Sequence, residues 1–363
     1  MRGKRKLDHL NLAGLMDDGP VSTGFEDIRF VTNCLPELAF SEVSTVTSFL
    51  GKRVEAPLLI NAISGGVPEA KGLNRALAYA ARRMGIPMAV GSMTAALQDP
   101  AVLHTFTVAR EENPDGFIAA NVSAGIPPQM ALEAVKLIGA DALQLHLNAP
   151  QEAAMPAGEG DLSFRGFLDN IKAVVKASPV PVIVKEVGFG MAGAEARRLL
   201  AAGVKVLDTG GSGGTNFMRI ESFRGNSAVT YPFFKWGIPS AATLLEVVDT
   251  VSNTGTTTEI VASGGIRSGL DIAKALAMGA GMAGIAGPLV RSYNKGGKEA
   301  VLNHLQLLVS QLRQAMFMLG VSEPLQLKSQ PLIVLGETGK WLELRGIDLD
   351  ILARRSGRGQ GIR

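Results

Sequence analysis

Cysteine is almost missing from this chain of 363 residues: Cys34 stands alone, so no disulfide closes within it and no thiolate zinc site forms. A single thiol suits a reducing compartment, and a soluble, cytoplasmic protein is the expectation. Aromatic residues make up 5% and are scattered, unlike the basic face interleaved with aromatics that nucleic acid requires. Charge of one sign is also missing, since 36 basic and 33 acidic residues leave only +3. No nucleic-acid partner is expected on that balance. The basic residues gather at the two ends, MRGKRK and RRSGRGQGIR, as they do in solvated termini. No run of roughly 18 residues is free of charges and turn signals, so no membrane span is expected. The LDHLNLAGLMDD that follows the basic start is too polar for a signal-peptide core.

What the chain has in quantity is glycine, 43 residues, and apolar residues, 46% of the total, enough for a sizeable core with many turns. From residue 56 onward short β-rich runs alternate with helical segments. The runs are APLLINAISGG (56–66), PMAVGS (87–92), GFIAANVSAG (116–125) and ALQLHLN (142–148), then PVIVKEVG (181–188), VKVLDTGG (204–211), TEIVASGG (258–265) and GMAGIAGP (281–288). Between them lie patterns such as ALEAVKLIGA and LDIAKALAMGA, apolar at i, i+3 and i+4, and a long apolar helix is predicted over 297–320. Eight strand–helix units with near-continuous apolar strands predict a parallel sheet covered on its outside. Over residues 56–320 they match an α/β fold, a closed (β/α)8 TIM barrel. A doubly wound open sheet is the alternative, because strand count does not prove closure. The segments 1–55 and 321–363 fall outside the repeat and read as N- and C-terminal extensions with no core of their own.

One stretch suggests a different fold. In VIVKEVGFGMAGA (182–194), Gly188, Gly190 and Gly193 are spaced G-x-G-x-x-G, and Asp208 follows twenty residues after the first, where a ribose-binding carboxylate would sit in a dinucleotide fold. In the barrel frame this is merely the fifth strand–helix turn, and a dinucleotide fingerprint has no use for Lys185 and Glu186 just before it. Lys185 then projects from a strand end as a fixed cation, or pairs with Glu186 or a neighbour.

In a barrel the chemistry gathers where strands end. Here they end in polar or glycine clusters: Ser64-Gly65-Gly66, Ser92, Asn121, His146 with Asn148, Lys185, Thr209-Gly210-Gly211 and Ser263-Gly264-Gly265. SGGIR (263–267) closes the seventh run and IAGP (285–288) the eighth, the two loops that commonly hold a phosphate in this fold; Arg267 would add charge. Tight turns needing positive φ are the structural alternative. HLNAPQE (146–152) concentrates more unusual chemistry than any other stretch. His146 and Asn148 are expected on one face of a strand, with Gln151 and Glu152 in the loop beyond. Histidine can hold an anionic oxygen, the amides can orient a ligand, and one carboxylate can serve Mg²⁺ if the substrate brings phosphates. Glu152 as the capping acid of a helix N-terminus is the alternative.

Taken together, H-L-N-x-x-Q-E, P-V-I-V-K-E-V-G-F-G, G-G-T-N-F, W-G-I-P-S-A-A, S-G-G-I-R and the N-terminal R-K-x-x-H resemble the type 2 isopentenyl-diphosphate isomerases, FMN-dependent (β/α)8 enzymes. The resemblance runs from Arg5 to the late AGP segment. It implies that FMN touches Ala62, Ile63 and Ser64, then Ser92, Asn121, Lys185 and Thr215, the turn Gly265, Ile266 and Arg267, and Ala286 with Gly287. It implies that substrate meets Arg5, Lys6, His9, His146, Asn148 and Gln151, that Glu152 ligates Mg²⁺, and that Gln151 and Lys185 are catalytic. The implied reaction is the interconversion of isopentenyl and dimethylallyl diphosphates in isoprene biosynthesis, a 1,3-allylic proton shift with no net redox. Reduced FMN serves as acid and base, primed by NADPH or NADH. A homo-oligomer, tetramer or octamer, is implied as well.

Two departures stand out. Many members read GSQR where this chain has Gly91-Ser92-Met93-Thr94, so a diphosphate-binding arginine is missing and its work would shift to Arg5 and Lys6. MPAGEGD (155–161) is longer than the family's usual loop after the glutamate. A rival reading is an FMN barrel of the hydroxy-acid oxidase kind, which wants a histidine base with an arginine for a carboxylate. The HLNxxQE segment does not offer that. Cys34 lies outside the repeat, which excludes a cysteine-based dehydrogenase.

Overall fold

The computed structural model describes residues 2–16 and 18–356. Eight strands follow one another around a closed barrel: β1 (Leu58–Ile60), β2 (Met88–Ala89), β3 (Ile118–Ser123), β4 (Ala142–Leu147), β5 (Val182–Glu186), β6 (Val206–Asp208), β7 (Glu259–Ser263) and β8 (Met282–Ile285). All neighbours are parallel, and β8 closes on β1 with Ile285 opposite Ile60. Closure decides against the open sheet.

The strands alternate with a period of two, and the alternation gives the interior two levels. Leu59, Ala89, Ala119, Ala142, Ile183, Val206, Val261 and Met282 form an apolar floor. A hairpin of Thr47–Phe49 against Lys52–Val54 plugs this floor with Phe49, which is fully buried. Losing that ring would cost about 3–5 kcal/mol. Two residues further along the strands come Asn61, Asn121, Gln144, Lys185, Asp208 and Ser263, all buried and all polar. The outward-facing Leu58, Ile60, Leu143, Leu145, Val182 and Val184 pack under the surrounding helices.

Four helices bear on the site: α1 (Arg2–Leu15), α2 (Ala149–Ala154), α3 (Phe217–Glu221) and α4 (Gly287–Leu319). The helix predicted over 297–320 is only the second half of α4. The first half starts directly after β8, and the two meet at Gly296 and Gly297, where the latter takes φ +63°. The extensions share the barrel's core. Ile28–Phe30 pairs antiparallel with Leu332–Val334, and Phe25, Ile28, Val43, Leu327, Leu332 and Leu342 join the main apolar cluster. Among the described residues no helix is long and apolar enough to cross a membrane. Arg354 and Arg355 of the C-terminal basic cluster are described; residues 357–363 lie outside.

Candidate active site

A cavity of about 440 Å³ opens at the C-terminal ends of the strands, within the roughly 300–1,000 Å³ usual for ligand sites. Ala62, Ile63, Ser64, Ser92, Asn121, Lys185, Thr215, Gly265, Ile266, Ala286 and Gly287 line it. So do Arg5, Lys6, His9, His146, Asn148, Gln151 and Glu152. Of the residues that the resemblance assigns to FMN, substrate or metal, Arg267 alone is not in the wall. Its guanidinium faces Asp18, with Nε 3.3 Å from the carboxylate, and bonds the carbonyls of Gly265 and Gly213. Asp18 in turn holds Arg291 of α4 at 3.1 Å.

The floor of the cavity is the polar level of the barrel. His146 Nδ1 lies 2.9 Å from Asn121 Oδ1, and Asn121 Nδ2 donates to Gln144 Oε1 at 3.0 Å. Gln144 Nε2 donates to Asn61 Oδ1 at 3.1 Å, and Asn61 Nδ2 to Asp208 Oδ2 at 2.6 Å. Ser263 Oγ donates to the other Asp208 oxygen. Lys185 Nζ sits 4.0 Å from Asp208 and donates to the Glu186 carbonyl at 2.7 Å. Parallel register brings these groups to one height, pairing Ser123 with His146, His146 with Lys185 and Lys185 with Asp208. Lys185 therefore serves the carboxylate of Asp208 rather than that of Glu186. Burial, with the positive charges of Lys185 and Lys6, pushes His146 down to about 3, so the ring is neutral. Burial pushes the Glu186 carboxyl up to about 8, against the pull of the Phe189 and Gly190 N–H groups at 2.6 and 2.9 Å on its Oε2.

The G-x-G-x-x-G stretch is a turn between β5 and the helix Gly193–Ala201. Gly190 has φ +86°, and a Cβ there would meet the Ile238 carbonyl oxygen at 2.8 Å, so glycine is needed for the close approach. Asp208 is inside the barrel, engaged by Asn61 and Ser263, and offers nothing to a ribose at that turn.

α1 lies over the cavity mouth. Lys6 Nζ donates to the carbonyls of Gly65 and Ser92 at 2.7 and 2.8 Å, and Arg5 donates to the Glu159 carbonyl at 3.2 Å. His9 Nε2 lies 2.6 Å from Glu221 Oε1 at the end of α3. Arg224 gathers three acids, Glu221 at 2.5 Å, Glu159 at 2.7 Å and Asp8 at 3.4 Å. Burial alone would raise the Glu221 carboxyl, but His9 and Arg224 together hold it below the usual range. The basic start of the chain is thus a fitted element and not a solvated terminus.

HLNAPQE divides differently from its expected strand. β4 ends at Leu147, and Asn148 precedes the first turn of α2, because Pro150 suits a helix start and cannot extend a ladder. Glu152 lies in that turn, its two oxygens accepting from Asn148 Nδ2 and the Asp161 N–H, each at 2.8 Å. Gln151 is buried between Asn148 and Glu221, at 3.4 Å from each. The long MPAGEGD loop supplies both Asp161 and Glu159 to this corner. Thr94 lines the wall 3.2 Å from Ser92 Oγ, with Lys6 on the same turn.

Asn61, Gln144, Asp208, Glu221 and Arg224 escaped the sequence reading as members of this site. For the first three the signal was available: each stands two residues beyond an apolar floor residue. Glu221 and Arg224 lie in IESFRG, which carries no signal of its own.

Comparisons with known proteins agree with this architecture. Residues 119–334 match the family model of FMN-dependent dehydrogenases. The isopentenyl-diphosphate delta-isomerase of Symbiobacterium thermophilum is 43% identical over 99% of both chains. That of Moorella thermoacetica is 43% identical over 95% of this chain and 97% of its own. Among solved structures, a mandelate oxidase with an FMN adduct superposes with a TM-score of 0.62 at 18% identity, covering 90% of this chain and 92% of that one. That likeness concerns the fold. At 43% identity along nearly its entire length, on a closed barrel with the strand-end residues gathered in one cavity, this chain belongs to the isopentenyl-diphosphate delta-isomerases, a branch of the FMN-dependent barrel enzymes.

Proposed function

We propose that the protein interconverts isopentenyl and dimethylallyl diphosphates, using FMN, Mg²⁺ and NADPH or NADH as priming reductant. The observation that carries this reading is one cavity holding a buried amide (Gln151), a buried cation (Lys185) and the basic arm Arg5–Lys6 together. The wall residues fit FMN. A Cβ at Gly265 would come within 2.4 Å of Thr23 and one at Gly287 within 2.7 Å of Thr215 Oγ1, so close packing holds both positions to glycine, and both line the cavity. Gly287 also begins α4, whose N-terminal N–H groups favour an anion. Lys185, Asn121 and Ser92 would hold the ring end. Bound in reduced form, FMN supplies the acid–base group for the allylic proton shift.

The remaining work falls to the chain. Arg5, Lys6, His9, His146 and Asn148 would bind and orient the diphosphate. Gln151 would lie across the alkene and pass the second proton, one proton entering at a terminal carbon as another leaves the far carbon. α1 over the mouth would exclude water, which an unactivated alkene requires of its acid. Among the described residues no three His, Cys, Asp or Glu side chains form a metal cage. Mg²⁺ would therefore bind Glu152 only together with the phosphate oxygens, which suits a hard cation that keeps most of its waters. Phe223, Tyr231 and Trp236 lie close along the chain and are exposed at 68%, 71% and 58%, which supports a subunit interface and the homo-oligomer.

The test is an anaerobic one. Protein reduced once with dithionite is given isopentenyl diphosphate and Mg²⁺, and product is followed by proton NMR. Many turnovers per flavin without further reductant are expected. Product that stops at one per reduced flavin would show a net redox reaction and oppose the isomerase reading.

A further inference from the structure

We propose that Gln144 and Asp208 are positioning residues: through a one-way chain of side-chain amides they fix the tautomer of His146, with Nδ1 protonated and Nε2 bare toward the cavity. The chain starts at an end that can only accept. Asp208 Oδ2 takes a bond from Asn61 Nδ2 at 2.6 Å, its other oxygen takes one from Ser263 Oγ, and Lys185 stands 4.0 Å away. A carboxylate has nothing to donate, so Asn61 must turn its nitrogen to Asp208. The Ala62 N–H, 2.9 Å from Asn61 Oδ1, fixes the same orientation from the backbone.

Each amide has donors at one end and an acceptor at the other, so orientation passes along the chain. Asn61 Oδ1 accepts from Gln144 Nε2 at 3.1 Å, which points Gln144 Oε1 at Asn121 Nδ2 at 3.0 Å. Asn121 Oδ1 is then the atom 2.9 Å from His146 Nδ1. An oxygen there can only accept, so Nδ1 carries the hydrogen. Gln144 is fully buried and stands outside the cavity wall, so water has no place from which to satisfy it if reversed, and Asn61 and Asn121 are each tied to one of its two ends. Burial and the nearby Lys185 and Lys6 keep the ring neutral against the pull of a hydrogen bond to the Val122 backbone, so it carries one N–H in all.

The consequence concerns what His146 can hold. A bare Nε2 accepts; it meets a protonated phosphate oxygen or a metal-bound water, and not a naked anionic oxygen. That last step rests on the isomerase reading of the cavity, whereas the tautomer follows from the barrel interior alone.

Holoenzyme labelled with [15N]histidine and kept free of substrate separates the two. The chain has four histidines, and H146Q identifies the resonances of His146. The wild type is expected to show the Nδ1–H form favoured by about tenfold or more, the scale set by one misdirected buried hydrogen bond. Q144M cuts the chain and is expected to bring the two tautomers to within about threefold of each other. Q144E still accepts from Asn121, and is expected to keep the wild-type preference. A protonated Nε2 in the wild type would overturn the proposal, as would an unchanged ratio in Q144M or an equal loss in Q144E. If Q144M does not fold, the wild-type spectrum still decides. None of these results bears on turnover, so the isomerase reading stands or falls separately.

Discussion

Lys185→Met should strand a charge in the barrel, and the size of the effect follows from two numbers. Lys185 Nζ lies 4.0 Å from Asp208 Oδ2, and the two residues are 6% and 0% exposed. At an effective dielectric of about 20 their attraction is about 4 kcal/mol. Against this stands the desolvation of the lysine, several kcal/mol, which the methionine no longer incurs. Asp208 also keeps its bonds from Asn61 and Ser263. A net destabilisation of about 2–4 kcal/mol is therefore expected, most of it from the unpaired carboxylate. Asp208→Asn in the same background removes that charge, so the double variant should be more stable than the sum of the single effects by about 1–3 kcal/mol. Urea denaturation of the four proteins, all freed of FMN, measures this coupling. Effects that add within about 0.5 kcal/mol would show that the pair does not interact and would sink the argument. With FMN restored, Lys185→Met should also bind it more weakly and shift its reduction potential. An unchanged potential would remove Lys185 from the ring.

The Glu186 carboxyl is raised by burial from 4.5 to about 8, so between those values the folded protein holds a proton that the unfolded chain lacks. Stability should fall as pH rises through that window, and Glu186→Gln should flatten the fall. Parallel urea midpoints for the two proteins between about pH 5 and about pH 8.5 would contradict it. Arg224→Met removes the partner of Glu221, Glu159 and Asp8. It should free α1 to trypsin at Arg5 and Lys6 and raise KM by about tenfold, roughly 1.4 kcal/mol; continued protection of α1 would refute the latch. Glu152→Gln keeps the size but loses the charge, so its defect should lie in KM and be partly rescued by high Mg²⁺. Gln151→Ala should instead lower kcat and leave the Mg²⁺ dependence alone. Identical Mg²⁺ titrations for these two variants would mean that the pair only shapes the turn.

The strands were legible because both faces are covered, so each reads as an apolar run, and all eight runs contain a barrel strand. Their ends were legible because glycine and polar residues interrupt those runs where the cavity opens. His146, Gln151, Glu152 and Lys185 stood out in this way. The arm was harder to place. By composition a basic terminus reads as solvated; only the resemblance pointed to Arg5, Lys6 and His9, and the docking on Glu221 and Arg224, more than 200 residues away, is what the fold adds.

The polar level of the interior escaped for a different reason. In isolation Asn61 looks like a loop residue, Gln144 like a strand impurity and Asp208 like the acid of a dinucleotide fold. Each of them buried alone would cost more than a strand can sustain. What makes them tolerable is closure, which brings polar residues from six strands to one height so that each finds its partner on another strand. The period of two from the apolar floor predicts which side chains point inward, but register decides whom they meet. Lys185 opposite Asp208 on one side and His146 on the other is a fact of register. A set of inward polar residues, each uneconomical by itself, is thus evidence that a barrel closes and that its upper level is a single hydrogen-bonded unit. Substitutions there should be judged by what they do to its direction, not by the loss of one contact.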